Sequence, residues 1–229
     1  MRTILLAGGY GTRLRPLTNT IPKCLVPIKG KPLLEIWLER LNLAGFNPFL
    51  INTHYLSKQV ETFIQHSPYH HQVTLIYEPQ LLGTAGTLIA NLDFFEGSDG
   101  LLIHADNYCL ADLQAFKQAH KERPSNCLMT MMTFRTNNPS SCGIVEINPK
   151  GIVTTFHEKV ESPPDNLANG AIYILSEKLL NILSNKYKNY QDFSTDILPH
   201  FINQIYTYET SSTFLDIGTP ENYQKANQE

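Results

Sequence analysis

The stretch Leu6-Ala7-Gly8-Gly9-Tyr10-Gly11-Thr12-Arg13-Leu14 follows an apolar run at residues 3–7 without a break. That run reads as a buried strand, so the chain leaves a strand directly into a glycine loop. Without Cβ atoms in the way, backbone N–H groups in such a loop can turn together toward a phosphate and form an anion nest. A dinucleotide fingerprint fits poorly: Gly9-Tyr10-Gly11 would need a third glycine where Leu14 stands, and a helix directly afterwards. A Walker A loop fails as well, because no Gly-Lys-Ser/Thr follows. Charge supports the anion reading. Arg2, Arg13, Arg15, Lys23, Lys29 and Lys31 precede the first acid, Glu35. The 229 residues hold 18 Lys+Arg against 21 Asp+Glu, so the rest of the chain keeps 12 basic and 21 acidic residues, a charge of −9. A start of +6 on an acidic protein is a focused anion site.

The composition, 42% hydrophobic and 17% charged, is that of an ordinary globular chain and excludes disordered, collagen-like and coiled-coil classes. A net charge of −3 argues against a general binder of nucleic acid or acidic membranes. No stretch approaches 18 apolar residues, and the opening apolar run is too short for a signal peptide. Cys24, Cys109, Cys127 and Cys142 form no C-x-x-C pair and read as reduced thiols, so a cytoplasmic protein is expected. His54 and the pair His70-His71 lack converging partners and read as solvated loop histidines. Tyr10 reads as exposed, with no specific role.

Strands and helices alternate through the first half. Strands are expected at residues 3–7, 48–52, 73–77 and 100–104. Helices are expected at 32–44, with Pro32 in the first turn, at 57–65 capped by Ser57, at 84–92 and at 113–121. This rhythm indicates a mostly parallel sheet covered on both faces. The second half is richer in strands, at 126–134, 143–147, 152–158, 168–175, 205–209 and 214–217. A hairpin turn falls at Asn148-Pro149-Lys150-Gly151, and helices at 176–183, 192–203 and after Thr219-Pro220-Glu221. One α/β domain spans the chain, with a nucleotide half over 1–125 and a sugar-phosphate half over 126–229.

Beyond the glycine loop come Arg15-Pro16-Leu17-Thr18 and Ile21-Pro22-Lys23-Cys24-Leu25-Val26-Pro27. With these the chain resembles the sugar-1-phosphate nucleotidylyltransferases, whose signature is a glycine loop, an arginine and Pro-Lys-x-Leu-x-Pro. Ordered matches continue at Leu82-Gly83-Thr84-Ala85-Gly86, Ala105-Asp106-Asn107, Cys142-Gly143, Glu158-Lys159, Asn169-Gly170 and Asp216-Ile217-Gly218-Thr219-Pro220. The resemblance covers nearly the whole chain. It implies a Rossmann-like nucleotide-diphospho-sugar transferase fold with a small β-rich sugar-binding subdomain. It also implies a reaction between a nucleoside triphosphate and a sugar 1-phosphate that yields a nucleotide sugar and pyrophosphate.

That chemistry needs no activated Ser or Cys, because the attacking phosphate oxygen is already ionised near neutral pH. The difficulty is to bring polyanions together and to stabilise an in-line transition state, so fixed cations and N–H dipoles carry catalysis, each worth about 3–4 kcal/mol. By the resemblance, Leu6, Ala7, Gly8, Gly9, Gly11 and Thr12 cradle the nucleotide, with Glu78, Gly83 and Thr84 on its base side. Arg13 lies on the leaving pyrophosphate, and Lys23 neutralises the α-phosphate and the entering oxygen. Asp106 and Asp216, each after a short strand, share one Mg²⁺, a hard cation that also takes phosphate oxygens. Asn107, Gly143, Glu158, Lys159, Asn169 and Gly170 line the sugar-phosphate side, with Lys159 on the phosphate and Glu158 and Asn169 on hydroxyls. Arg15 serves the loop surface, and Lys29 and Lys31 are solvated cations. Ala105 stands where relatives carry Gly, Asn or Ser, with little consequence expected for metal.

Glu78 precedes the loop expected to face the base. A carboxylate only accepts hydrogen bonds, and guanine offers adjacent N1–H and N2–H donors where uracil or thymine offers N3–H alone. Glu78 therefore leans toward GTP, and the Leu-Gly-Thr-Ala-Gly wording resembles the GDP-mannose and manno-heptose 1-phosphate branch. A uridylyltransferase on N-acetylmuramate- or glucose-type 1-phosphates stays open as the alternative. A non-catalytic regulatory subunit on the same fold should lack the metal carboxylates or the lysines, yet all are present. A nicotinamide enzyme should show an acid about 20 residues past the loop, and none precedes Glu35. No nucleic-acid or membrane partner is expected, and the sequence leaves a homo-oligomer open.

Overall fold

The computed structural model describes Met1 to Gln228. Numbered along the chain, its elements begin with β1 (Arg2–Leu6), the two-residue strands β2 (Pro27–Ile28) and β3 (Lys31–Pro32), and helix α1 (Leu33–Leu43). Next come β4 (Phe49–Thr53), α2 (Ser57–His66), β5 (Val73–Tyr77), α3 (Gly83–Ala90), β6 (Gly100–His104), β7 (Asn107–Cys109) and α4 (Leu113–Glu122). The remainder is β8 (Met129–Arg135), β9 (Gly143–Ile147), β10 (Val153–Glu158), β11 (Leu167–Leu175), α5 (Glu177–Lys186), β12 (Ile205–Glu209), β13 (Phe214–Asp216) and α6 (Pro220–Gln228). The α/β class expected from the alternation is the class the chain adopts.

Contacts divide the chain into two compact units. Met1–Leu81, Ile103–Ala111 and the segment from Ser212 onward form the first, and Leu82–Leu102 with Asp112–Ser211 form the second. The sequence placed one boundary near residue 125. Both units are instead assembled from separated segments, a long-range property that local composition does not encode.

In the first unit β1 pairs parallel with β4, and β4 parallel with β5, in registers running from Thr3↔Phe49 to Leu6↔Asn52 and from Phe49↔Val73 to Thr53↔Tyr77. A parallel strand covered on both faces is apolar throughout, and every residue of β4 is buried. Helix α1 buries Leu33, Leu34, Trp37, Leu38 and Leu41, the three- and four-residue spacing of one helix face. Burial of each such leucine contributes roughly 1.5–3 kcal/mol. The Trp37 indole N–H also donates to the Asn107 carbonyl at 2.8 Å, which fixes the strand that follows Asp106. Pro32 sits just before the helix rather than in its first turn, and Ser57 is the first residue of α2 rather than its cap. Leu56 precedes it at φ 52° without a side-chain cap.

In the second unit β8 pairs antiparallel with β11 and parallel with β12, β11 meets β9 at Ala168↔Ile144, and β9–β10 is an antiparallel hairpin. The turn at Asn148 forms as expected: Gly151 N donates to the Asn148 carbonyl at 2.9 Å, and the Asn148 side chain accepts from Lys150 N. The helix expected over 192–203 is replaced by a single π-helical turn, Phe193–Ile197, and a 3₁₀ turn, Leu198–Phe201. Pro199 lacks the N–H a continuous α-helix would use, and the Asp192 carboxylate caps the start by accepting from Ser194 N and Thr195 N.

Candidate active site

The glycine loop leaves β1 directly, as the sequence anticipates. Ala7 N donates to Asn52 Oδ1 at 2.7 Å, anchoring the loop to the end of β4. Gly11 then takes φ 63°, a backbone region costly for side chains, and a Cβ there would lie 3.0 Å from Thr18 Cγ2 and 3.2 Å from Lys23 Cβ. Thr18 Oγ1 donates to the Gly11 carbonyl at 2.7 Å and closes the loop from outside. A single 3₁₀ turn, Thr12–Leu14, follows instead of an α-helix, the same difference that set the motif apart from a dinucleotide fingerprint.

Asp106 and Asp216 lie 110 positions apart in the chain and meet through a short ladder. β7 and β13 pair antiparallel with Asp216 opposite Asn107, which places Asp216 beside the residue that follows Asp106. Lys23 Nζ lies 2.7 Å from Asp106 Oδ2 and 3.2 Å from Asp216 Oδ1, with its side chain only 8% exposed. Arg13 Nη2 lies 3.3 Å from Asp216 Oδ2. Asp216 Oδ1 also accepts from Gly218 N at 2.8 Å, and its carbonyl accepts from Asn222 Nδ2 at 2.8 Å. A Cβ on Gly218 would lie 2.8 Å from Arg13 Nη2, so the glycine makes room for the guanidinium. Burial opposes ionisation of Asp106, but the Lys23 ammonium, His104 and hydrogen bonds outweigh it and hold the carboxyl below the usual range. Two acidic and two basic side chains are thus concentrated beside the β7–β13 ladder, the bases coming from the two 3₁₀ turns at Thr12–Leu14 and Lys23–Leu25. Among the described residues no set of three or more His, Cys, Asp or Glu gathers at one point. A divalent ion on Asp106 and Asp216 would need further oxygen ligands from phosphate or water, the habit of Mg²⁺.

The outlying cations differ from expectation in one case. Lys31 is ion-paired with Glu39 rather than simply solvated, and Arg15 is exposed. Glu78 is buried at the end of β5, its N–H bonded to the Thr53 carbonyl. His54 is not a solvated loop histidine: Nδ1 lies 2.7 Å from the Glu78 carbonyl and Nε2 lies 2.8 Å from the Tyr10 hydroxyl. His70 and His71 stack on each other, and His70 Nδ1 bonds the Ser67 carbonyl.

Leu6, Ala7, Gly8, Gly9, Gly11, Thr12, Arg13, Lys23, Glu78, Asp106, Asn107 and Asp216 all belong to the first unit. Gly83, Thr84, Gly143, Glu158, Lys159, Asn169 and Gly170 belong to the second. There, register sets Glu158 opposite Gly143, Lys159 N donates to the Cys142 carbonyl at 3.2 Å, and Lys159 Nζ lies 3.2 Å from Glu158 Oε1. Asn169 has both ends of its amide engaged: Oδ1 accepts from Ala171 N at 2.9 Å and Nδ2 donates to the Tyr173 hydroxyl at 2.7 Å. These bonds hold the irregularity in β11 between Asn169 and Tyr173. Thr84 Oγ1 accepts from Phe193 N at 2.7 Å, and Ala85 N donates to the Gln191 carbonyl, so the start of α3 is tied to the segment before the π-helical turn.

The nucleotidyl transferase family model matches residues 2–229. The chain belongs to the nucleotidyl transferase family. A mannose-1-phosphate guanyltransferase of Schizosaccharomyces pombe is 30% identical over 97% of this chain, and a putative one of Sulfolobus acidocaldarius 28% over 99%. A UTP–glucose-1-phosphate uridylyltransferase of Synechocystis is 27% identical over 99% of this chain. The chain spans 62% of the length of each of these relatives. HddC of Yersinia pseudotuberculosis, solved in complex with GMP-PN, superposes with a TM-score of 0.82 at 28% identity, covering 99% of this chain and 98% of that one. In this nucleotidyl transferase, sequence reasoning missed Asn52, His54, Tyr10, Thr18 and Gly218 as residues that brace or make room for the candidate site. Tyr10, Thr18 and Gly218 stand in the motifs that carry the resemblance, so their signal was visible. The contacts of Asn52 and His54 with the loop arise only when distant segments meet.

Proposed function

We propose that this chain joins a nucleoside triphosphate, GTP preferred, to mannose 1-phosphate or a manno-heptose 1-phosphate, releasing pyrophosphate. The observation that carries the reaction class is Lys23 Nζ held between the Asp106 and Asp216 carboxylates, with Arg13 alongside. A bound triphosphate would compete for these cations. Arg13 would take the leaving pyrophosphate, and Lys23 would neutralise charge between the α-phosphate and the entering sugar-phosphate oxygen, a stabilisation that grows as the transition state forms. Asp106 and Asp216 would hold one Mg²⁺, which supplies Lewis-acid polarisation of phosphate oxygens. Their all-oxygen donor set fits that ion. In the second unit Lys159 and Glu158 are assigned to the sugar 1-phosphate.

The guanine preference rests on the buried carboxylate Glu78 beside the base loop, and on likeness to relatives named for mannose-1-phosphate guanylyl transfer and to a protein solved with GMP-PN. The uridylyl alternative is supported by the Synechocystis relative. Turnover of GTP, UTP, CTP and dTTP, each with mannose 1-phosphate, manno-heptose 1-phosphate, glucose 1-phosphate and N-acetylmuramate 1-phosphate, separates them. GTP is expected to lead with the first two sugars. A clear UTP preference sinks the Glu78 argument and favours the uridylyl reading.

A further inference from the structure

The end of β4 and the residues after it bond the phosphate loop and the segment that follows it. Asn52 Oδ1 takes Ala7 N, the Tyr55 hydroxyl donates to the Asn19 carbonyl at 3.2 Å, and Gln59 Nε2 donates to the Thr20 carbonyl at 2.8 Å. Between them His54 meets Tyr10 in the middle of the glycine run. The rings lie edge-on, with centroids 5.2 Å apart and planes at 89°. A carbonyl can only accept, so the contact between His54 Nδ1 and the Glu78 carbonyl puts the proton on Nδ1. In the neutral imidazole Nε2 is then an acceptor, and the Tyr10 hydroxyl must donate to it. A directed relay results, from the Tyr10 O–H to His54 and from His54 N–H to the Glu78 peptide. Tyr10 is 47% exposed, so hydrogen bonding and ring contacts with His54 and Tyr55 hold it in place of burial.

We infer that Tyr10 and His54 are positioning residues that couple the phosphate loop to the Glu78 peptide, setting the triphosphate cradle and the start of the base-facing loop in one geometry. The inference rests on the glycine loop being the nucleotide site. Neither side chain is placed on a reacting atom. Nucleotide affinity should therefore respond to them while the chemical step does not.

Tyr10→Phe removes only the donor and keeps the ring. Titration calorimetry with GTP and with UTP in the presence of Mg²⁺ is expected to show a threefold to tenfold weaker Kd, roughly the loss of one neutral hydrogen bond. Steady-state kcat and the KM for the sugar phosphate should stay within about twofold. His54→Leu should weaken binding by roughly tenfold or more, and adding Tyr10→Phe to it should cost nothing further. His54→Gln, whose amide offers a donor and an acceptor, should recover most of the affinity. Unchanged nucleotide affinity in Tyr10→Phe and His54→Leu overturns the inference. So does an equal loss in kcat and both KM values, the mark of general damage. Arg13→Ala separates the two levels. If it binds both nucleotides like the wild type, or the wild type binds neither, the reading of the loop itself fails. If only Arg13→Ala weakens binding, the coupling alone is wrong.

Discussion

Lys23 is almost wholly buried, yet its ammonium touches two carboxylates that lie 110 positions apart in the chain. Removing one partner from such a cluster leaves uncompensated charge and, on the proposed mechanism, takes away a cation that faces the α-phosphate. Lys23→Ala is expected to lower kcat by at least roughly 100-fold, because its interaction strengthens as charge develops at the α-phosphate. Single-turnover kinetics at saturating nucleotide check this, and wild-type-like turnover would remove Lys23 from the mechanism. Pro22-Lys23-Cys24-Leu25 marked it as a candidate, but its contact with Asp216 was not legible, since nothing local links positions 23 and 216. Burial pushes the Cys24 thiol up to about 12 and that of Cys109 to about 11, far from a reactive thiolate.

Among the elements, capping separates what was legible from what was not. Helix α4 begins at the polar-to-apolar step after Asp112, whose carboxylate accepts from Gln114 N and Ala115 N at 2.9 Å each. Asp112→Ala should cost about 1 kcal/mol and lower the thermal midpoint by roughly 2–4 °C, measured by calorimetry, without affecting turnover. An unchanged midpoint would mean the cap contributes nothing. The Asp112 cap was not read from the sequence, whereas the start of α6 was legible in Thr219-Pro220-Glu221, with Thr219 Oγ1 accepting from Asn222 N. Residues 192–203 were not, because apolar spacing does not distinguish an α-helix from a π turn followed by a 3₁₀ turn. The ladder between β7 and β13 was hidden although the strand at 214–217 was expected, because the three residues of β7 carry little periodicity and nothing local pairs the two segments.

For the whole molecule, pH dependence of stability follows from a buried group outside the proposed site. His120 is 1% exposed, with Nδ1 on Thr130 Oγ1 at 2.8 Å and Nε2 on Asp99 Oδ2 at 3.2 Å. Burial depresses its pKa; Asp99 opposes this and Arg123 adds to it, and the net shift is downward. The unfolded chain, titrating near 6.5, therefore binds more protons than the folded one, and stability falls as pH drops below about 6.5 toward the lower folded value. Asp99 is also held below the usual range, chiefly by its bond to His120, so its contribution is lost later, as pH falls below about 4. The unfolding free energy should thus decline between pH 7 and 5, with a slope of at most about 1.4 kcal/mol per pH unit from His120, read as a falling thermal midpoint. His120→Gln should flatten that decline, and an equally steep one in the variant would assign it elsewhere. Among the described residues no helix is long and apolar enough to cross a membrane. What the sequence determined by itself was local: β1 and its glycine loop, the α/β alternation, the Asn148 turn and the +6 start, each set by neighbouring residues and backbone sterics. Only the tertiary structure decided the division into two interleaved units, the meeting of Asp106 with Asp216 at Lys23, and the Tyr10–His54–Glu78 relay. Those depend on which distant segments pack together, and packing free energy is a property of the assembled core rather than of any window along the chain.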